Sequence, residues 1–579
     1  MNDTNRMDCP PAKKLSEQAP SWQFWIDVGG TFTDCLARSP MGTEHFIKVL
    51  SSGIVKGHSH QFVLETEHSY DSPLASPPVF SAPSSVGPAS SAARYVGRFV
   101  DDLRNEMVDE FWTGARLRVL DAGGDVIDQT IVSRFSAANH EFELARKLCL
   151  AAETVELRYE LDAGLAAPVL AIHLLQGIPI GERLTDCRVD LGTTRGTNAL
   201  LTRSGARTAL ITSRGFRDYL RIGDQTRSNL FQLTIGSAPP LFETAIEINE
   251  RVLFDGTVES SPDPGLVAEQ LQQLQQSGIE SIAICLMFGY QFPQHEQLVA
   301  RMAAEVGFTS IRCSSDVAPV IKIVPRGETT VLDAYLDPVI AAYLNEVQSQ
   351  LTPESQLRFM TSGGGLVSRH RFSGKDSVLS GPAGGVVGAA RIAQQSGFAR
   401  MIGFDMGGTS TDVCRFDGEF SRSFETKKAG VRIMAPMLDV ETVAAGGGSI
   451  CWFDGAKLRV GPQSAGADPG PACYGRGGPL AMTDVNLFLG RLQPKLFPFS
   501  LDRSAVSRRL VELNALLALS GHSFTLVELA AGFLKIANHN MAAAVQSVSV
   551  AQGFDPRKYV LVSFGGAGSQ HCCDVADNL

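Results

Sequence analysis

No uncharged apolar run of about 18 residues occurs anywhere in the 579-residue sequence, so no membrane-spanning helix is expected. Basic residues are not in excess: 51 Lys and Arg stand against 61 Asp and Glu, a formal net charge of −10, which argues against a nucleic-acid-binding face. The 11 cysteines are scattered, none at C-x-x-C spacing, with Cys572 and Cys573 adjacent. That pattern suits a reduced cytoplasmic compartment better than a disulfide framework or a zinc site. The opening residues contain no apolar segment of the kind a signal peptide needs, and 1–21 read as a disordered tail. There is no G-x-x-x-x-G-K-[ST] motif, which removes a P-loop, and no dinucleotide fingerprint placed between a strand and a helix. A hydrophobic fraction of 44% is enough for large packed cores, and the length suggests about three or four domains.

Glycine, by contrast, is plentiful and patterned. IDVGGTFTD (26–34) and FDMGGTSTD (404–412) share Asp, Gly, Gly, Thr, Thr and Asp at the same offsets, and each follows an apolar strand. An aspartate closing a buried strand before Gly-Gly-Thr fits a phosphate hairpin. The glycines let backbone N–H groups approach phosphate oxygens, and the threonines add donors. A carboxylate would repel phosphate directly, so its natural partner is Mg²⁺, reached through water. Two such hairpins, one from each half of a molecule, would clamp a triphosphate from both sides. The other reading is a pair of ordinary tight turns. A third strand running into glycines, LVSFGGAGSQ (561–570), follows the second copy. Two phosphate hairpins and a later glycine loop resemble the layout of the actin-like ATPase and sugar-kinase superfamily, in which the last loop lies against adenosine. GPAGGVVG (381–388) is a glycine turn opening a helix, whose N-terminus could receive phosphate.

Along the chain, 22–50 read as strands around the first glycine turn, and 71–93, rich in Pro, Ser and Ala, as a linker. RLRVLDAGGDVIDQTIVSRF reads as a hairpin turning at GGD. FELARKLCLAAETV (142–155) reads as helix and APVLAIHLLQGI (167–178) as a buried strand, within a small inserted, strand-rich module at 54–180. From 187 onward strands alternate with helices, the mark of an α/β protein.

Further stretches follow in a fixed order: GTTRGTNALL (192–201), SRGFRDYLRIGDQTR (213–227), VPRGETTVLDAYLDP (324–338), SGPAGGVVGA (380–389), AAGGGSI (444–450), VGPQSAGADPGPACYGRGGP (460–479) and FGGAGSQH (564–571). With the two hairpins they resemble the hydantoinase A half of the hydantoinase/5-oxoprolinase family, over most of 22–579 apart from the module. The pattern is most similar to the ATP-dependent 5-oxoprolinases, which open 5-oxo-L-proline to L-glutamate at the expense of ATP. N-methylhydantoinases and acetone-carboxylase subunits share most of these stretches.

The resemblance implies an α/β, actin-like ATPase fold (ribonuclease H-like, duplicated) with two halves around a nucleotide cleft. A hydantoinase/oxoprolinase N-terminal domain would occupy 22–53 and 181–320, and a hydantoinase A domain 321–579. It implies ATP and Mg²⁺ as cofactors, a cyclic amide substrate, a place in glutathione metabolism and a hydantoinase B-type partner or domain, with a homo-oligomer also open. The family's chain continues beyond the position matching Leu579. Asp27 and Asp405 would hold Mg²⁺ through water. Gly29, Gly30, Thr31, Thr33, Gly407, Gly408, Thr409 and Thr411 would contact phosphates, and Gly565, Gly566 and Gly568 would lie against the nucleotide. Asp34 and Asp412 carry two readings, metal-linked or hairpin-bracing. Arg221, Asp224, Arg227 and Arg326 are substrate candidates, since an arginine fork suits a carboxylate, with surface ion pairing as the alternative. Thr193, Thr194, Thr197 and Asn198 suit helix capping or ligand contact. Asp468, Pro469, Gly470, Cys473 and Tyr474 form a Pro/Gly loop in which Cys473 reads as packing, and His571 reads as a cap or packing residue near the nucleotide loop. Rival functions are a carboxylase-type subunit that phosphorylates a ketone or bicarbonate, and a nucleotide-binding partner inactive without a hydantoinase B protein.

Overall fold

The computed structural model describes residues 21–30, 32–65, 94–102, 104, 106, 108–121, 125–150, 156–224, 239–466, 469–497 and 500–579. Thr31, Arg227, Asp468, the linker at 71–93, the tip of the GGD hairpin and nearly all of the 1–21 tail lie outside them. The chain divides into two compact units. One is Met1–Asn198 with Val339–Phe359 and Leu366–Phe372; the other is Ala199–Pro338 with Met360–Gly365 and Ser373–Leu579. Both are mixed α/β. Among the described residues no helix is long and apolar enough to cross a membrane.

The first unit is built on a six-stranded sheet. Its central strand Trp22–Val28 pairs antiparallel with Phe32–Arg38, which pairs antiparallel with Glu44–Leu50. On its other side it pairs parallel with Cys187–Thr193, and that strand parallel with Gln356–Met360. Phe24, Ile26 and Val28 alternate into the core, each side chain contributing about 1.5–3 kcal/mol by burial. The helix Ala167–Gln176 packs on them through Val169 and Ile172. This stretch reads in sequence as a buried strand, and the structure corrects that. Pro168 in the first turn and Gly177 in the left-handed conformation (φ 66°) bracket a helix, and an apolar run buried on nearly every side hides the helical period.

Strands between Ile54 and Asp162 form a separate seven-stranded sheet. Here the helix expected over 142–155 is instead the strand Glu141–Leu150, with 151–155 outside the described residues. Phe142, Leu144, Leu148 and Leu150 are buried at even spacing, and Phe142 stacks on Phe99 with ring centroids 4.8 Å apart.

Among the described residues the second unit holds two four-stranded sheets and four two-stranded ones. Thr244–Ile248, Thr208–Ser213, Ser281–Cys285 and Ser310–Cys313 run parallel, in that order. The helices Pro264–Gln276 and Gln294–Val306 pack against them. Asp263 caps the first of these helices by accepting from the N–H groups of Gly265 (2.8 Å) and Leu266 (3.1 Å). The expected domain break at 320/321 falls within this unit. The helix Ile323–Ser349 begins just beyond it and buries Arg326 against the carbonyls of Leu286 and Met287, while Tyr335 packs against Gly205.

The other four-stranded sheet has Arg400–Met406 at its centre. It pairs antiparallel with Thr411–Asp417, which pairs antiparallel with Val440–Val443, and on its other side it pairs parallel with Val560–Phe564. Ile402, Phe404 and Met406 point to the core containing the helix Leu526–Val548, while Met401 packs with the helix Ser380–Gln395. This strand arrangement repeats that of the first unit: three antiparallel strands in sequence, then a later strand added parallel to the first of them.

Candidate functional site

Each hairpin sits at the end of the central strand of its sheet. In the first, the Gly29 N–H donates to the Phe32 carbonyl at 3.0 Å. In the second, the Gly407 N–H donates to the Ser410 carbonyl, also at 3.0 Å. Asp27 lies directly opposite Asp34 across the first pair of strands, and Asp405 opposite Asp412 across the second. The constant interval between the two aspartates of each motif is therefore the cross-strand register of a tight hairpin.

In the first hairpin Asp27 is open to solvent yet crowded by surrounding protein. That desolvation, and then the charge of Asp34, push its pKa up, against a smaller downward pull from Lys48. Lys48 pairs with Asp34 at 2.6 Å from the next strand. Thr33 is fully buried, its hydroxyl 3.0 Å from that of Ser51, which in turn donates to the Gly29 carbonyl at 2.8 Å. Thr33 thus braces the turn rather than presenting a donor outward. The turn after the parallel strand lies alongside: Thr194 donates to the Val28 carbonyl from its N–H (2.9 Å) and from its hydroxyl (3.2 Å). Thr193 accepts from the Arg195 N–H at 3.2 Å, so it caps the following helix. A Cβ on Gly30 would lie 3.5 Å from the Asn198 amide nitrogen.

The second hairpin repeats this plan with a more elaborate cover. Thr411 is fully buried and donates to the Ala445 carbonyl, the counterpart of Thr33. Gly408 and Thr409 are exposed. Asp412 is raised by burial, opposed by a hydrogen bond with Thr442 and by Lys428. The loop 446–448 lies directly on the hairpin: Gly447 N–H donates to the Gly407 carbonyl (3.0 Å) and Gly448 N–H to that of Gly408 (2.6 Å). A Cβ on Gly446 would come within 2.7 Å of Gly408 and Thr409 backbone atoms. AAGGGSI is thus a part of the site to which sequence reasoning gave no role, although its run of glycines was the signal.

Two more glycines frame Asp405. Gly565, at φ +82°, follows the parallel strand, and a Cβ there would stand 2.4 Å from Asp405 Oδ1. A Cβ on Gly385, in the helix Ser380–Gln395, would lie 3.8 Å from Oδ2. Gly566 is exposed with open space around it, whereas Gly568 is buried, where a Cβ would meet Ser563 Oγ at 2.7 Å. Gly568 therefore belongs to packing under the loop, not to its outer face. Ala567 N–H fastens the loop to the Met406 carbonyl at 2.9 Å.

His571 is fully buried beneath this loop. Its Nδ1 lies 2.7 Å from Asn538 Oδ1 and its Nε2 2.9 Å from Asn486 Nδ2. An Nδ1–H tautomer satisfies both amides, and burial, helped by Arg491, pulls the pKa down to about 4. Asp484, another residue sequence reasoning passed over, is buried and accepts from the N–H groups of Ala472 (3.0 Å), Cys473 (2.8 Å) and Ala481 (2.8 Å). It organises the Pro/Gly loop. Cys473 is fully buried there, its pKa raised by burial and by Asp484. Tyr474 packs against Phe497 with ring centroids 5.9 Å apart.

Of the substrate candidates, Arg227 lies outside the described residues and the other three have partners of their own. Arg326 is completely buried, with its guanidinium donating to the backbone carbonyls of Leu286, Met287 (2.8 Å) and Val320 (3.1 Å). Carbonyls take donors of both terminal nitrogens, which makes it a structural anchor. Arg221 is exposed, 5.9 Å over the Phe242 ring. Asp224 pairs with Arg432, which also reaches Glu425 (3.4 Å) and Glu328 (3.5 Å). Burial raises the Glu328 pKa despite Arg432 beside it.

The sequence matches the family model for hydantoinase/oxoprolinase over residues 326–579 and that for the hydantoinase/oxoprolinase N-terminal region over residues 180–307. It is 44% identical over 445 residues to a 5-oxoprolinase of Saccharomyces cerevisiae, a match covering 70% of this chain and 34% of that protein. The chain spans about a third of the length of the first curated relatives it matches. Two solved structures resemble it. A nucleotide-free acetone carboxylase has a TM-score of 0.62 at 21% identity, covering 96% of this chain and 66% of that one. The ATP-dependent caprolactamase of Pseudomonas jessenii has a TM-score of 0.60 at 27% identity, covering 80% and 67%.

Proposed function

The chain belongs to the hydantoinase/oxoprolinase family, and on that premise we propose that it supplies the ATP-binding, phosphorylating part of an enzyme that hydrolyses 5-oxo-L-proline to L-glutamate. The observation that carries this reading is the repeated hairpin, with an aspartate pair facing across each and, around Asp405, glycines that leave its carboxylate room. The matching strand order of the two hairpin sheets supports a duplicated, actin-like ATPase organisation.

A lactam carbonyl is a poor electrophile and its nitrogen a poor leaving group. Transfer of the γ-phosphoryl group to the lactam oxygen, with ADP departing, makes the ring carbon electrophilic. Water adds there and the C–N bond breaks, its electrons and a proton going to nitrogen; a second water releases phosphate from the acyl phosphate. The first step calls for positioning and charge neutralisation rather than covalent help from the protein. In this reading Gly30, Gly408 and Thr409 offer the hairpin tips and one outward hydroxyl to phosphate oxygens, Gly29 and Gly407 close the turns with their N–H groups, and Gly565 and Gly566 form the loop against the nucleotide. Thr33 and Thr411 hold the hairpins in shape.

Mg²⁺ fits the donor set. Carboxylates opposed across a hairpin, with the pKa of Asp27 raised by crowding and then by Asp34, favour a divalent cation, and Asp27 and Asp405 would each hold water ligands of Mg²⁺. The ion would neutralise charge on the phosphates. A hydantoinase B-type partner or domain would complete hydrolysis.

The test is ADP release by the purified chain with Mg-ATP, with and without 5-oxo-L-proline, alone and with a hydantoinase B protein. Stimulation supports the proposal; none under either condition refutes the substrate. Caprolactam belongs in parallel, because the similarity to a caprolactamase favours a different cyclic amide as the second reading.

A further inference from the structure

The inserted sheet carries a cluster of metal-ligating side chains that the hairpin chemistry does not use. Its edge strand Ile54–Ser59 pairs antiparallel with Leu157–Asp162, His58 opposite Arg158 and Ser59 opposite Leu157. Continuing that register sets His60 opposite Glu156. Ser59 and Leu157 are buried, so His58, His60, Glu156 and Arg158 share the solvent side of the pair. The two imidazoles meet edge to face with centroids 5.9 Å apart, and His60 Nε2 lies 3.8 Å from Glu156 Oε1. One ligand atom from each of His58, His60 and Glu156 lies within 4.8 Å of the other two.

We propose that His58, His60 and Glu156 form a binding site for a divalent transition-metal ion, Zn²⁺ foremost, which clips the edge strand to its neighbour. Two imidazoles and one carboxylate suit zinc, copper or nickel, whereas magnesium and calcium prefer all-oxygen sites. With Zn–N and Zn–O bonds of about 2.0–2.2 Å, tetrahedral ligand atoms stand roughly 3.3 Å apart. Exposed side chains on neighbouring strands reach that spacing by rotating about their side-chain bonds, without movement of the strands. Water completes the coordination.

Arg158 strengthens the assignment. Its Nε donates to Glu156 Oε2 at 2.8 Å and leaves Oε1 on the His60 side. A ligating carboxylate held by a hydrogen-bond donor behind it is the usual arrangement around metal ions. Lys56, two residues before His58 on the same strand, is engaged by Glu160 at 3.4 Å, so its charge is offset.

The experiment uses the whole chain, stripped with a chelator and titrated with ZnCl₂ by calorimetry. Because the cysteines can also bind zinc, the measured quantity is a difference between proteins. The unaltered chain should bind one equivalent more than the His58→Ala/His60→Ala double variant, and Glu156→Gln should weaken that equivalent at least tenfold. Equal stoichiometry and affinity in the unaltered and double-variant proteins would overturn the proposal. A measurement on the unaltered chain covers misfolding of the variant: Zn²⁺ should protect His58 and His60, but not the exposed His539, from diethyl pyrocarbonate, read by mass spectrometry. Modification of both at the same rate with and without Zn²⁺ would also overturn it.

Discussion

Asp27 and Asp34 stand opposite each other across two adjacent strands, and the lysine that neutralises Asp34 comes from the third strand in the same row. In the row Asp27, Asp34, Lys48, crowding and then Asp34 raise the pKa of Asp27, and Lys48 offsets only part of that. The second unit repeats the pair with Asp405 and Asp412, where Asp412 faces Thr442 on the third strand. One geometry built twice from one motif is stronger support for a shared ligand chemistry than either hairpin alone.

Replacing Asp405 should abolish nucleotide turnover while leaving the fold intact. The carboxylate sits beside Gly565 and Gly385 at a strand end, and its loss opens no apolar cavity. For Asp405→Ala we expect ADP release to fall at least 100-fold with an unchanged circular dichroism spectrum. Wild-type turnover in a folded Asp405→Ala protein would sink the assignment.

Adjacent glycines should respond oppositely to a methyl group. Gly565→Ala introduces a Cβ 2.4 Å from Asp405 Oδ1 at φ +82°, and should cost about 1–3 kcal/mol in stability along with most of the turnover. Gly566→Ala meets nothing within 4 Å and should stay within about 0.5 kcal/mol of wild type. Denaturant unfolding and ADP release on both variants check the pair; equal effects would contradict the geometry.

The alternation of strands and helices, both hairpins and the glycine loop after residue 560 were legible in sequence because each is local. An apolar strand, a glycine turn and a cross-strand interval all lie within a few residues. What was not legible depended on distant partners. Whether Thr33 and Thr411 turn inward is decided by Ser51 and Ala445. Arg326 looks like a substrate fork until the carbonyls of Leu286 and Met287, some forty residues earlier in the chain, take its donors. The helix Ala167–Gln176 was misread because burial on nearly all sides erases the period that would distinguish it from a core strand.

Thr33→Val and Thr411→Val test the bracing role directly. Each removes a buried hydroxyl whose partner is a hydroxyl or carbonyl at the turn, so each should lower stability by about 1–2 kcal/mol. Thr411→Ser keeps the donor and should recover most of the loss. If the hydroxyls instead contact phosphate, Thr411→Val would raise the KM for ATP at unchanged stability.

Mg²⁺ dependence should carry a pH signature. Turnover should stop in EDTA and return with added Mg²⁺. Because the pKa of Asp27 is raised, protons compete for that carboxylate at a higher pH than for an ordinary aspartate, so the Mg²⁺ concentration giving half-maximal turnover should climb on acidification. Asp34→Asn removes the like charge that raises Asp27 and should reduce this dependence. Turnover unaffected by metal removal would eliminate the ion from the reading.

His571 gives a second pH dependence, opposite in sign to that of the raised carboxylates. Folding holds its imidazole neutral between Asn486 and Asn538, with a pKa of about 4 against about 6.5 in an unfolded chain. The unfolded state therefore binds the proton first. Stability from this residue is complete above about pH 6.5 and is lost as pH falls toward 4, by up to about 3 kcal/mol. The raised carboxylates, Asp27 and Asp412 among them, act in the other direction, so the His571 contribution must be isolated by difference. His571→Gln removes the titrating group while keeping polar atoms for the two amides. The stability gap between wild type and His571→Gln, from denaturant unfolding, should shrink steadily from pH 7 to pH 4.5. A gap independent of pH would mean that His571 is not held neutral in the folded chain.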